Sequence, residues 1–169
     1  DLLSGIGVAA LGHAHPALAR AVADQAKTLL HTSNLFFHPL QGQVGERLAS
    51  LSGLSRVFIC NSGTEAVEAC LKFARRFWFS QGQKDRTGYV ALHHGFSGRT
   101  MGALSITGQP AKRTPFEPMP PGAEFVPFGD IAALDAAVDE NTAAVFLEPI
   151  LGEAGVVPAP DGYLVAARR

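Results

Sequence analysis

The chain has 169 residues, of which 47% are hydrophobic and 17% charged, and its formal net charge is −1. This length suits one domain, and the balanced charge gives no reason to expect duplex nucleic acid or an anionic membrane as the main partner. No apolar run approaches membrane-spanning length and the first residues lack the basic segment of a signal peptide, so we expect a cytoplasmic protein. The chain starts at an aspartate and stops in LVAARR, which reads as the middle of a helix, so we expect a fragment of a longer protein.

Two helices are predicted in the first third of the chain. Pro16 suits the first turn of a helix over about residues 16–30, whose apolar residues recur at helical spacing. A second helix over residues 40–52 has one apolar face and is weakened by Gly42 and Gly45.

The segment GIGVAA matches the dinucleotide-binding pattern G-x-G-x-x-A at Gly5, Gly7 and Ala10. That pattern has meaning only between a strand and a helix. Only four residues precede it, and Gly12 and Pro16 interrupt any helix that should follow directly. We therefore set the match aside.

The rest of the chain alternates apolar runs with helical patterns. An amphipathic helix is predicted from Ala66 to near Gly82, and a second is capped by Asp130. Continuous apolar strands between helices indicate an α/β fold with a parallel sheet covered on both faces. Residues 109–122 include five prolines and predict an irregular loop. The predicted strands are RVFIC (56–60), GYVAL (88–92), EFVPF (124–128) and AAVFLEP (143–149).

Cysteines and histidines form no metal-binding pattern. Cys60 and Cys70 have no CxxC spacing, and we interpret them as two small buried hydrophobes in a reducing compartment. No H-E-x-x-H motif or cysteine pair accompanies the histidines, so we predict no metal and keep a metal hydrolase as a remote alternative. The histidine pairs are His13 with His15 and His93 with His94.

The turn CNSGTEA, from Cys60 to Ala66, joins a predicted strand to a helix. In the simpler interpretation, Ser62 is the N-cap and Glu65 its partner in a capping box, whose loss costs about 1 kcal/mol. In addition, Gly63 removes a side chain that would block a ligand, and Thr64 adds a hydroxyl beside unpaired amides. These features suit a phosphate at the start of a helix. The lysine of a P-loop is missing, which disfavours nucleoside triphosphate chemistry.

With this turn in place, the chain resembles the class III pyridoxal-phosphate-dependent aminotransferases, and among them the acetylornithine aminotransferase group. The resemblance covers essentially the whole chain, in the right order and spacing. It rests on five blocks: SGIGVAALGHAHP (4–16), HTSNLFF (31–37), NSGTEAVEACLKFARR (61–76), GFSGRTMGALSITGQ (95–109) and EPILGEAGV (148–156).

The resemblance implies that residues 1–169 are part of the large domain of the fold-type I transferase fold, a mostly parallel sheet flanked by helices. It implies that Ser62, Gly63 and Thr64 hold the phosphate of pyridoxal 5′-phosphate and that Phe96 lies flat on its pyridine ring. The alternative for Phe96 is a core residue, which is where most phenylalanines are found.

The resemblance also implies two substrate-binding residues. Arg99 would pair with a substrate carboxylate, for which a planar guanidinium is suited; the alternative is a solvated surface arginine. Glu153 would occupy the position with which the family controls specificity, by binding or releasing a second arginine that lies outside this chain. Glu148 either supports the site or starts a helix, and the residues leave both open.

Two positions depart from the family pattern. Ser97 stands where the family often has histidine, although some acetylornithine and acetyl-lysine members also have serine. Leu151 stands where the family usually has glutamine beside the glutamate that controls specificity. Both departures bear on the substrate more than on the type of reaction.

The function implied is transfer of the terminal amine of N-acetylornithine or a related amino acid to 2-oxoglutarate, in arginine biosynthesis, by a cytoplasmic homodimer with no nucleic-acid or membrane partner. Alternatives are a class III enzyme for ornithine, 4-aminobutyrate or acetyl-lysine, or a non-catalytic phosphate-binding fragment. The resemblance places the catalytic lysine beyond this chain. We therefore assign no catalytic residue here and expect the chain alone to be inactive.

Overall fold

The computed structural model describes residues 1–120 and 122–169 and divides the chain into two compact units, Asp1–Val57 and Phe58–Arg169. The N-terminal unit consists of helices Ser4–Gly7 (α1), Pro16–Thr28 (α2) and Pro39–Ser52 (α3). The two predicted helices are thus confirmed, each with proline in its first turn. GIGVAA runs through α1 and the turn after it, which is not a strand–turn–helix unit. One domain over residues 1–169 stays a prediction.

The C-terminal unit alternates strands and helices. The elements are Gly63–Ser80 (α4), Gly88–Leu92 (β1), Met101–Ser105 (α5), Pro110–Arg113 (α6), a 3-10 turn at Thr114–Phe116, Ala123–Val126 (β2), Ile131–Ala137 (α7), Thr142–Phe146 (β3), Ile150–Leu151 (β4), Val157–Pro158 (β5) and Tyr163–Ala167 (α8). The main sheet has the order β2-β1-β3, and β1 pairs in parallel with both neighbours, which confirms the predicted parallel sheet. A separate antiparallel pair is formed by β4 and β5.

Both faces of the central strand β1 are buried, as predicted. Successive side chains of a strand point to opposite faces, so Tyr89 and Ala91 pack on one side and Val90 and Leu92 on the other. The first pair meets Leu71 of α4 and Ile106; the second meets Leu134 of α7 and Tyr163 of α8. The sheet is therefore the middle layer of three.

Two side-chain hydrogen bonds attach α4 to the sheet. The buried hydroxyl of Tyr89 donates to the Leu71 carbonyl at 2.9 Å. The indole N–H of Trp78 donates to the Ala143 carbonyl at 2.8 Å. The bonds lie about two turns apart on the helix, so they fix its direction as well as its distance from the sheet.

Three predictions about local structure are wrong. Residues 56–60 do not form a strand, because a strand needs a hydrogen-bonded neighbour and the described sheets provide none for them. Part of the proline-rich segment 109–122 is helical, since Pro110 and Pro115 occupy first-turn positions where a missing N–H costs nothing. Pro121 lies outside the described residues.

The third wrong prediction concerns the cysteines. Cys60 is half-buried and Cys70 is exposed. Neighbouring residues on a helix point about 100° apart. Because Leu71 faces the sheet, Cys70 is turned away from it.

None of the helices in the described residues is long and apolar enough to cross a membrane.

Candidate functional site

A cavity of about 550 Å³ opens at the carboxyl ends of β1 and β3. In open α/β sheets this is the edge where ligands bind. The first turn of α4, the ends of both strands and the segment after β1 all contribute walls. The lining residues are Gly63, Thr64, Val67, Ala91, Leu92, residues 95–99, Ile106, Phe146, Leu147 and Glu148.

The predicted cap of α4 is confirmed. Ser62 is the N-cap, and its Oγ accepts a hydrogen bond from the Glu65 amide at 3.3 Å. The Glu65 carboxylate in turn accepts from the Asn61 amide at 2.8 Å and from the Ser62 hydroxyl at 3.2 Å. Hydrogen bonds, chiefly from the Asn61 side chain, hold the pKa of Glu65 below its usual value. The Ser62 hydroxyl is thus occupied within the cap, and Ser62 does not line the cavity.

The amides of Gly63 and Thr64 are the free donors of this turn. They are the first two amides of α4 and have no intrahelical partner, and no acceptor for them lies among residues 1–120 and 122–169. A Cβ placed on Gly63 would meet no atom within 4 Å, so the approach is open. The free amides, the helix dipole and the open approach fit a phosphate.

Phe96 is half-buried in the wall of the cavity, and hydrogen bonds fix the backbone at this position. Its amide donates to Glu148 Oε1 at 2.7 Å, and the next amide, of Ser97, donates to Thr107 Oγ1 at 3.1 Å. Glu148 lies between β3 and β4, so it does not start a helix. Of the two alternatives for Glu148, the structure favours a carboxylate that holds the backbone of the cavity wall at Phe96.

Arg99 is exposed at the edge of the cavity. Its guanidinium carbon lies 5.5 Å from the centre of the Phe96 ring. Within the part of the chain that the structure describes, it has no carboxylate partner. The guanidinium is therefore available to an anionic ligand.

Glu153 is exposed and pairs with Lys112 of α6. Lys112 Nζ also lies 4.8 Å from the centre of the Phe96 ring. Glu153 does not line the cavity itself, and Lys112 connects it to the wall. This role of Lys112 was missed from the sequence, because no motif links two residues 41 positions apart.

Thr107 and Glu68 were missed as well. Thr107 is fully buried and holds the Ser97 amide, and Glu68 of α4 accepts hydrogen bonds from the segment after Arg99. Both residues lie inside the sequence blocks on which the family resemblance rests, and that position is the one signal that could have pointed to them.

The histidine pairs do not form a metal centre in the described residues. No group of three or more His, Cys, Asp or Glu side chains there could hold a metal ion. His13 instead lies 2.7 Å from an oxygen of Asp1.

The pattern of the family "Aminotransferase class-III" matches residues 1–169. Acetylornithine aminotransferases of Mycolicibacterium smegmatis and Methanopyrus kandleri are 54% and 48% identical over 99% and 97% of the chain, which covers 42% and 41% of their lengths.

A crystal structure of ornithine aminotransferase from Toxoplasma gondii ME49 superposes with a TM-score of 0.90 at 34% identity, covering 99% of this chain and 41% of that one. The predicted α/β transferase fold is thereby confirmed. The chain spans about two fifths of the length of these relatives. It belongs to the class-III aminotransferases.

Proposed function

We propose that this chain is the part of a pyridoxal-phosphate-dependent aminotransferase that binds the cofactor phosphate and a substrate carboxylate. One observation carries the proposal: two helix-start amides, an aromatic ring and a guanidinium border one cavity, and neither the amides nor the guanidinium has a partner among the described residues. The amides suit a phosphate, the ring suits a planar heterocycle, and the guanidinium suits a carboxylate.

The residues on the cofactor side divide the work of binding. The amide N–H groups of Gly63 and Thr64 would donate hydrogen bonds to the phosphate. Ser62 stabilises the conformation of this turn as the N-cap of α4. Phe96 packs against the ring and excludes water from that face. Glu148 accepts a hydrogen bond from the Phe96 amide and so anchors the backbone that carries the ring.

When bound, pyridoxal 5′-phosphate supplies an electron sink for the carbon that carries the amine. On the substrate side, Arg99 orients one carboxylate through a forked pair of hydrogen bonds. Glu153, which is paired with Lys112, changes its partner according to the charge of the distal substrate group. The assignments of Ser62, Gly63, Thr64, Phe96, Arg99 and Glu153 are part of the proposal.

The proposed reaction moves the terminal amine of N-acetylornithine, or a related amino acid, to 2-oxoglutarate. It is supported by the acetylornithine aminotransferases of several organisms, which are 42–54% identical over nearly all of this chain. The proposal includes a cytoplasmic homodimer that acts in arginine biosynthesis.

Ornithine is the second candidate donor. The observation in its favour is the match in backbone to the Toxoplasma gondii ornithine aminotransferase, at a TM-score of 0.90. The lower identity of 34% ranks it behind N-acetylornithine.

The test is a donor panel on the purified full-length protein loaded with pyridoxal 5′-phosphate. N-acetylornithine, ornithine, 4-aminobutyrate and N-acetyl-lysine are each supplied with 2-oxoglutarate, and glutamate is measured. We expect the highest kcat/KM with N-acetylornithine. A higher value with another donor would reassign the substrate, and no glutamate from any donor would favour the non-catalytic alternative.

A further inference from the structure

Glu68 lies on α4, one turn after Thr64, and its half-buried carboxylate faces the segment that follows Arg99. Its Oε1 accepts a hydrogen bond from the Thr100 hydroxyl at 2.5 Å and another from the Ala103 amide at 3.1 Å. Thr100 is the N-cap of α5, yet its own side chain makes no capping bond. Glu68 therefore provides, from another helix, the acceptor that the start of α5 lacks.

A hydroxyl chain extends this contact to the phosphate-binding turn. The Thr64 and Thr100 hydroxyl oxygens lie 3.0 Å apart. Thr100 gives its only hydroxyl proton to the Glu68 carboxylate, because an ionised carboxylate only accepts. The Thr64 hydroxyl consequently donates to Thr100. The order Thr64–Thr100–Glu68 ties the first turns of α4 to the residue next to Arg99.

Two glycines allow this close approach. Gly98 has a φ of +135°, and a Cβ there would overlap the Thr64 side chain. A Cβ on Gly102 would overlap the Glu68 carboxylate. The segment from Gly98 to Gly102 is thus fitted to the surface of α4 by contact on both sides of Arg99.

We propose that Glu68 is a positioning residue that fixes the distance between Arg99 and the phosphate-binding turn. The inference rests on the proposed function. A cofactor whose phosphate is held at Gly63 and Thr64 would also have its reactive end held in place. The substrate carboxylate must then lie at a fixed distance from that end. Arg99 would bind this carboxylate, and Glu68 anchors the backbone that carries Arg99. When a group that binds a substrate carboxylate is displaced, binding energy is lost and KM rises.

The test uses the full-length protein with Glu68→Ala, Glu68→Gln, Thr100→Val and the Glu68→Gln/Thr100→Val double variant. Two donors with the same terminal amine are compared: N-acetylornithine and N-acetylputrescine, which lacks the carboxylate. Asp135→Ala, an exposed acid on α7, is the matched control. Amide hydrogen exchange of residues 96–103 in cofactor-free protein gives a readout that does not depend on activity.

We expect Glu68→Ala to raise KM for N-acetylornithine roughly tenfold, with a smaller change in kcat and none in the KM for N-acetylputrescine. Glu68→Gln keeps an accepting oxygen and should restore KM to within about threefold of wild type. The double variant should cost less than the sum of its single changes, because both remove one contact. Exchange at residues 96–103 should speed up in Glu68→Ala and stay unchanged in Asp135→Ala.

Equal losses with both donors, or hydrogen exchange like that of wild type, would overturn the positioning role while leaving the proposed function intact. A wild-type protein that transfers no amine from any donor would overturn the proposed function and this inference with it.

Discussion

Arg99 is the residue with the most specific proposed role, which is to bind a substrate carboxylate. Its guanidinium is exposed beside the cavity and is unpaired among the described residues. In Arg99→Lys the charge is kept and the planar fork is lost. A charged hydrogen bond contributes about 1.5–3 kcal/mol. We expect kcat/KM for N-acetylornithine to fall about ten- to a hundredfold in steady-state kinetics of the full-length protein.

The matched control is Arg76→Lys, an exposed arginine on α4 that lies outside the cavity. It should leave kcat/KM unchanged. If Arg99→Lys behaves like this control, Arg99 is a surface arginine and does not bind substrate.

Gly63 allows the second test of a single residue. In Gly63→Glu the new carboxylate stands beside the amides that we assign to the phosphate, and repulsion should weaken cofactor affinity at least tenfold. An acid in the first turn of a helix is favourable for the helix, and a Cβ there meets no atom, so the fold should persist. Cofactor affinity is measured by fluorescence titration and folding by circular dichroism.

Gly63→Ala separates charge from size. It adds a Cβ without a charge, so it should bind the cofactor nearly as wild type does. Equal affinity in Gly63→Glu and wild type would remove this turn from the phosphate site.

The capping box at the start of α4 uses the Glu65 carboxylate as its acceptor. Hydrogen bonds, chiefly from Asn61, lower its folded-state pKa below the ordinary value of 4.5. A carboxyl group of this kind stabilises the folded state above its unfolded pKa, and that contribution is lost as the pH falls through the lower folded pKa. We expect the protection factors of the Asn61 and Glu65 amides, which compare the measured exchange with the intrinsic rate at the same pH, to fall below about pH 4.5.

Glu65→Gln should remove this acid dependence, because glutamine has no proton to gain in that range. Glu140→Gln, at an exposed acid before β3, is the control and should keep it. An unchanged pH profile in Glu65→Gln would mean that Glu65 does not govern the turn.

Helix α7 covers one face of the sheet through Leu134, which is only 3% exposed and packs against Val90 and Leu92. Leu134→Ala should lower the free energy of unfolding by about 2–5 kcal/mol, since it removes buried apolar atoms and leaves a cavity. Ile131→Ala on the same helix changes an exposed side chain and should cost far less. Thermal unfolding checks both, and equal costs would contradict this packing.

We predict that residues 1–169 expressed alone transfer no amine. Covalent capture of an aldehyde needs a lysine amine facing it. None of the four lysines, at 27, 72, 84 and 112, lines the cavity. Borohydride reduction with pyridoxal phosphate, followed by peptide mapping, should label no single lysine stoichiometrically. Stoichiometric labelling of one lysine together with turnover would show that the chain contains its own catalytic residue.

Apolar surface should also make the isolated chain associate. Phe73, Phe77 and Phe79 on α4 are each more than half exposed. Exposed apolar patches favour association. Light scattering should show aggregates, whereas a monodisperse monomer would contradict the prediction.

The elements that could be predicted from the sequence are those whose signal is local. Proline at a first turn, a serine cap and helical spacing of apolar residues predicted α2, α3, α4 and α7, and apolar runs predicted the three strands of the main sheet. The capped start of α4 could also be predicted, because a capping box needs only neighbouring residues.

The pairing of distant residues in the site could not be predicted in this way, because it depends on how the elements pack. A strand needs a hydrogen-bonded partner, so the sequence of residues 56–60 could not show by itself whether they form a strand. Glu148 with Phe96, Lys112 with Glu153 and Glu68 with Thr100 are pairs 32–52 residues apart. Their contacts follow from how α4, α5, α6 and the strand ends pack around the sheet, and packing over such separations leaves no periodic signal in the sequence.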